Sequence, residues 1–154
     1  MDLASVEEIK RLKHRYFRTL DLKEWETFGD CLATDVRARY GTQAMGEPLH
    51  YDSREAVVEF MSKNLGPSVI TMHVASHPEI EVDGDAATGR WYLHDQVISA
   101  AYRFKLEGAA FYEDSYVRTP GGWKVAHTGY ERTFEATYSL DDLPGLKLTT
   151  PGDG

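Results

Sequence analysis

The sequence predicts an α+β fold, a cone-shaped curved antiparallel sheet packed against three N-terminal helices, with a pocket inside the cone. Three observations predict it. Apolar residues recur at three- and four-residue steps through the first third of the chain; from Val69 the period changes to two and holds to about residue 135. Two clusters of turn residues, Asp83-Gly84-Asp85 and Thr119-Pro120-Gly121-Gly122, divide that second stretch into hairpins.

Val6, Ile9, Tyr16, Phe17 and Leu20 share one helical face, and Ser5 can cap it, so residues 6–20 are expected to form an amphipathic helix. Trp25, Phe28 and Leu32 continue the helical period in a second, short helix. Val36, Ala38 and Tyr40 then alternate with Arg37 and Arg39, the pattern of a half-buried strand. Residues 41–51 read as a loop. A third helix is expected from about Ser53, with Ala56, Val57, Phe60 and Met61 on one side and Gly66-Pro67 as its stop. The long strands follow. One domain over residues 1–140 accounts for these elements, and the Pro- and Gly-rich residues 141–154 are expected to be a flexible tail.

At 154 residues and 42% hydrophobic content the chain suits a single sizeable core. A net charge of −8 with no Lys/Arg run disfavours nucleic acid as a partner. No run approaches the roughly 20 apolar residues of a membrane helix, and the first residues carry neither a basic segment nor an apolar core of a signal peptide, so a cytoplasmic protein that does not contact membrane is expected. The lone cysteine, Cys31, lies in an apolar pattern and agrees with a reducing compartment.

Alternation sorts the candidate site residues. In the stretch 86–97 the odd positions Ala87, Gly89, Trp91, Leu93, Asp95 and Val97 form the more apolar face, which places Asp95 inward, as a proton donor or second orienting group, unless it sits at a strand end and reaches solvent. In the last strand Trp123 and Val125 place His127 inward too, either in the site or as a core histidine bonded to a backbone carbonyl. A bulge near Gly108-Ala109-Ala110 would leave the facing of Tyr112, Asp114 and Tyr116 open. Trp91, Tyr112 and Tyr116 are expected to line a pocket for a flat apolar substrate. The most informative pair is Asp21, closing the first helix, and His73, opening the first long strand: a carboxylate that orients an imidazole makes it a better base. Tyr16 precedes Asp21 by five residues, about 140° apart on a helix, so helix geometry alone does not make them neighbours.

His73 and His77 are separated by four strand steps, about 13 Å, too far to share one ion, so no metal is expected; His77 is expected to be extended before Pro78. Neither a Gly-rich phosphate loop nor a Gly-x-Ser-x-Gly elbow occurs, and no cofactor is expected.

The order RYFRTLD, TMHVASHPEIEVDGDAATGRWYL and GGWKVAHTGY resembles the SnoaL-like branch of the nuclear transport factor 2-like (cystatin-like) superfamily, whose enzymes include scytalone dehydratase, hexachlorocyclohexane dehydrochlorinase and bile-acid 7α-dehydratase. The resemblance covers roughly residues 3 to 135. It rests on Tyr16 with Asp21, on His73, on Gly84-Asp85-Ala86-Ala87 and on Gly122-Trp123-Lys124-Val125. It implies that Asp21 and His73 are a catalytic pair and brings Tyr16 into the site. Several relatives carry Arg four residues after the Trp, where this chain has His127. The function it implies is a cofactor-independent, dehydratase-type lyase acting on a small hydrophobic cyclic substrate, such as a hydroxy-ketone or steroid-like ring. A ketosteroid-type isomerase would use the same pocket, and a non-catalytic ligand-binding or dimerisation domain would need no Asp-His pair. Self-association, with a homodimer as the default, is expected from the broad face of the long strands.

Overall fold

The computed structural model describes residues 1–41, 46 and 48–152, so residues 42–45 and 47 of the loop expected over 41–51 and the last two tail residues lie outside the described residues. Helix α1, Leu3–Asp21, begins three residues earlier than its apolar period suggests, because Asp2 rather than Ser5 is the cap. The Asp2 carboxylate accepts from the Ser5 backbone N–H at 3.0 Å and from the Ser5 hydroxyl at 2.6 Å. Helix α2, Trp25–Asp30, is one and a half turns long, and Leu32 opens strand β1, Leu32–Tyr40, instead of closing the helix. A short strand β2, Leu49–Tyr51, falls in the stretch expected to be loop and pairs with β1. Helix α3, Arg54–Asn64, starts at the expected cap, with the Ser53 hydroxyl accepting from Ala56 N–H at 3.1 Å.

Strands β3 (Val69–Asp83), β4 (Ala86–Ser99), β5 (Phe104–Thr119) and β6 (Gly122–Ser139) are joined by tight turns, and both turn clusters make hairpins: Asp83 pairs with Ala86 and Thr119 with Gly122. The sheet order is β2-β1-β6-β5-β4-β3. Every pair is antiparallel except β1 with β6, so the sheet is mixed. The helices pack on its inner face, α1 chiefly against β3. Tyr16, Phe28, Leu20, Leu93, Trp91 and Val125 are almost wholly buried between these layers, each contributing about 1.5–3 kcal/mol of burial. The fold is the expected α+β cone.

The register of the long strands decides what faces the cone. Between β4 and β5 it is continuous, so Leu106, Gly108, Ala110, Tyr112, Asp114 and Tyr116 all share the inner face and β5 carries no bulge at Gly108. The extra residues are in β6. Tyr116 pairs with Val125 but Ser115 with His127, leaving Ala126 extra; Ala110 pairs with Arg132 but Ala109 with Phe134, leaving Thr133 extra. The first bulge reverses the alternation, so that Thr128, Tyr130 and Arg132 follow Trp123 and Val125 inward. His127, expected inward, is exposed on the outer face. A third shift lies in β3 between Ser76 and Glu79, where His77 takes a left-handed conformation (φ 50°) in place of the expected extended one.

After β6 a 3-10 turn, Leu140–Asp142, is fastened to the β4–β5 turn by Leu140 N–H donating to the Arg103 carbonyl at 2.9 Å and by an Arg103–Asp141 ion pair at 2.6 Å. Among the described residues no helix is long and apolar enough to cross a membrane.

Candidate active site

A cavity of about 330 Å3 lies between the inner face of the sheet and helices α1 and α3. Leu20, Phe60, Met61, Leu65, Val97, Phe104 and Leu106 make it mainly apolar, while His73, Asp95, Arg132, Tyr40, Tyr112 and Tyr130 bring polar groups to its wall.

Asp21 ends α1 beside the start of β3, and the sheet presents Thr71 and His73 to it on the same face. His73 Nδ1 is 2.6 Å from Asp21 Oδ1, the His73 backbone N–H donates to Oδ2 at 3.0 Å, and the Thr71 hydroxyl donates to Oδ1 at 2.8 Å. Three contacts from one strand thus fix the carboxylate. With Nδ1–H donated to it, the neutral ring keeps its lone pair on Nε2, the nitrogen left to accept a proton. Phe17 stacks on the imidazole at 5.1 Å and 12°, and the His73 side chain is only 10% exposed. This arrangement can abstract a proton from a substrate seated in the cavity.

Tyr16 does not reach the cavity. It is fully buried, and its hydroxyl meets that of Tyr40, which does line the wall, at 2.5 Å. Asp95 faces inward and is buried rather than solvated at a strand end. Arg132 donates from Nη1 at 2.5 Å and from Nη2 at 2.8 Å to its two oxygens, so in this arrangement the carboxylate is the acceptor of a two-pronged ion pair. Burial lowers the pKa of Arg132, but the hydrogen bond and charge of Asp95 outweigh it and raise the net value. His127, on the outer face, cannot contribute to this cavity.

Of the three residues expected to line the pocket, only Tyr112 does. Trp91 and Tyr116 lie in the core behind it: Trp91 Nε1–H donates to the Tyr116 hydroxyl at 2.9 Å, and that hydroxyl donates to Asp114 at 2.7 Å. Asp114 also accepts from Thr128 and pairs with the wholly buried Lys13, each at 2.7 Å. The Lys13 ammonium sits 3.9 Å from the centre of the Tyr112 ring. Burial is the main cause that pushes Tyr16, Tyr40, Tyr112 and Tyr130 above the usual phenol range, so in the cavity and behind it they are neutral donors. Among the described residues no three His, Cys, Asp or Glu side chains converge as metal ligands.

Sequence reasoning missed Arg132, Tyr40 and Tyr130. A signal for Arg132 existed: an inward Asp in an apolar face needs a cation or several donors, and Arg132 is a strand residue close to the level of Asp95.

A SnoaL-like domain model matches residues 1–129. The chain belongs to the SnoaL-like family. The chain is also similar to an uncharacterised protein of Mycobacterium tuberculosis, 25% identical over 130 residues, covering 83% of this chain and 85% of that protein. Two solved structures carry the same SnoaL-like fold: a candidate scytalone dehydratase from Novosphingobium aromaticivorans (TM-score 0.78, 20% identity, 89% of each chain) and a type 3 hexachlorocyclohexane dehydrochlorinase from Novosphingobium barchaimii (TM-score 0.76, 17% identity, 97% of each chain).

Proposed function

We propose that this SnoaL-like protein is a cofactor-independent, dehydratase-type lyase that acts on a hydrophobic cyclic hydroxy-ketone or similar ring. The observation that carries the reading is the 2.6 Å contact of Asp21 with His73 at the wall of a mainly apolar cavity. His73 Nε2 takes a proton from the carbon beside the substrate carbonyl, and the Asp21 carboxylate stabilises the imidazolium that forms. Donors on the opposite strands, the Tyr40 and Tyr130 hydroxyls and the Arg132 guanidinium, hold the carbonyl oxygen as negative charge builds on it. The double bond closes as the hydroxyl departs, and the proton carried by His73 leaves with it as water. Tyr16 acts through Tyr40. The two structural neighbours support the class of chemistry, since a dehydratase and a dehydrochlorinase are both eliminating enzymes by name. Isomerisation would use the same base and return the proton to a second carbon.

The test is a panel of hydroxy-ketones, steroids and halogenated rings with product analysis by mass, in which loss of water or of hydrogen halide separates elimination from isomerisation. On a confirmed substrate His73→Ala is expected to lower turnover by roughly two to four decades, the usual worth of a general base, while an apolar ligand still binds. Near-normal turnover of that variant would sink the mechanism.

A further inference from the structure

Arg132 reaches Asp95 by lying across β5, and the residue it crosses has no side chain. Gly108 pairs with Asp95 on β4 and with Glu135 on β6, so one row of the sheet reads Asp95, Gly108, Glu135 with the guanidinium over its middle. A Cβ on Gly108 would stand 2.9 Å from Arg132 Nη1 and 2.7 Å from the Phe134 carbonyl oxygen, both closer than real Cβ contacts. The Thr133 bulge brings that carbonyl in, and the glycine leaves room for it and for the arginine together.

We propose that Gly108 and Asp95 set the ligand class of the cavity: they seat Arg132 as a neutralised pair that serves an uncharged acceptor, a ketone or hydroxyl oxygen, and turns away carboxylates. The proposal rests on the reading of this cavity as the ligand site. An arginine that is to clamp a carboxylate offers two parallel N–H groups. Here the Nη1–Nη2 edge is already used, both nitrogens donating to Asp95, and that carboxylate compensates the charge of the guanidinium. Each Nη keeps a second N–H, and Nε–H is buried with no hydrogen-bond partner among the described residues, so hydrogen-bond donors remain for an oxygen while the net positive charge that would hold an anion does not. An anion would also meet unfavourable charge, since Asp95 and Glu135 both act on the one guanidinium and Asp21 lies behind His73 in the cavity wall. Like charges brought together in a desolvated site are strongly disfavoured, which corresponds to a preference of about a hundredfold or more for the neutral ligand.

The experiment compares two nearly isosteric probes, 2-acetylnaphthalene and 2-naphthoate, by titration calorimetry at pH 8 on the wild type, on Asp95→Asn and on Gly108→Ala. The wild type is expected to bind the ketone about a hundredfold more tightly. Asp95→Asn releases the guanidinium edge and its charge, so the ratio should fall by at least about tenfold, chiefly through tighter binding of the naphthoate. Gly108→Ala pushes Arg132 off its seat and should move the ratio the same way. Because its new Cβ also meets the Phe134 carbonyl, circular dichroism checks that the variant folds, and Asp95→Asn decides the matter alone if it does not. Equal affinity of the wild type for both probes overturns the selectivity and leaves the cavity as a ligand site. An unchanged ratio in Asp95→Asn overturns the role of the seated pair. A wild type that binds neither probe removes the ligand-site reading and this inference with it.

Discussion

Raising the pH should unfold this protein through its tyrosines, over a narrow range above about pH 10. Tyr16, Tyr40, Tyr112 and Tyr116 are buried, and burial, the largest cause in each case, pushes all four pKa values well above the phenol value of 10.0; Tyr130 shifts the same way. In the unfolded chain they lose their protons near the ordinary value, while in the folded chain they keep them. The native state therefore binds more protons than the unfolded state, and stability must fall as pH rises through that window. It is fully present below pH 10. Each such group costs about 1.4 kcal/mol per pH unit, so four of them give about 5 kcal/mol per unit, against a typical total stability of about 5–15 kcal/mol. Lys13, whose pKa is lowered by burial, acts in the opposite sense only below its unfolded value of about 10.5 and offers no relief beyond it. One to three pH units should suffice to cancel the fold.

The assay is urea denaturation at half-unit steps from pH 9 to 12, read by far-ultraviolet circular dichroism, with tyrosinate absorbance near 295 nm recorded in the same samples. The ionisation of the buried tyrosines should appear only as ellipticity is lost. Tyr40→Phe should make the pH slope shallower by about 1.4 kcal/mol per unit, since one of the linked protons is gone. If all nine tyrosines ionised near pH 10 with the fold intact, the sealed wall inferred around Tyr40, Tyr112 and Tyr130 would be wrong, and with it their standing as neutral donors.

Three further outcomes follow from the same packing. Lys13→Met should cost about 3–5 kcal/mol in urea denaturation at neutral pH, because Asp114 stays buried with, among the described residues, Thr128 and Tyr116 left to donate to it; adding Asp114→Asn should recover part of the loss, and a change below about 1 kcal/mol would show that the pair is not buried as described. The Cys31 thiol, pushed up to about 11 by burial, should resist aromatic disulfide reagents at pH 8 until urea unfolds the chain, and rapid labelling of the native protein would contradict that burial. Asp21→Asn should preserve the far-ultraviolet spectrum while lowering turnover on a confirmed substrate by at least about tenfold, since His73 loses the charge that stabilises its protonated form; unchanged turnover would remove Asp21 from the mechanism.

The difference between what the sequence disclosed and what it hid can be traced to single residues. Helices α1 and α3 were legible because Ile9, Tyr16, Phe17 and Leu20, and then Val57 and Met61, keep the helical period into the core, and both hairpins because Gly84 and Gly122 supply the left-handed backbone that the turns require. Strand β2 carries three residues, too few to show a period, and it is held by pairing with β1 rather than by its own pattern. The parallel contact of β1 with β6 joins residues almost a hundred positions apart and leaves no local trace.

In the site the same division holds. Asp95 was legible because β4 alternates without interruption from Ala87 to it, so counting by twos was enough. Counting failed in β6. Ala126 and Thr133 each add one residue, and a one-residue shift exchanges the two faces of a strand, so the rule that turned Trp123 and Val125 inward sent His127 inward as well and left Arg132 outside. Neither bulged residue is Gly or Pro, the types that announce such a break, so composition gave no warning. The signal lay across the sheet instead. Asp95 could not stand alone in an apolar face, and Gly108 at its level on the neighbouring strand leaves the space that the Arg132 guanidinium occupies. The acid on the inner face was legible and called for a cation or several donors; which residue supplies it depends on the register across β5 and β6, and the bulges hide that register from a count along the chain.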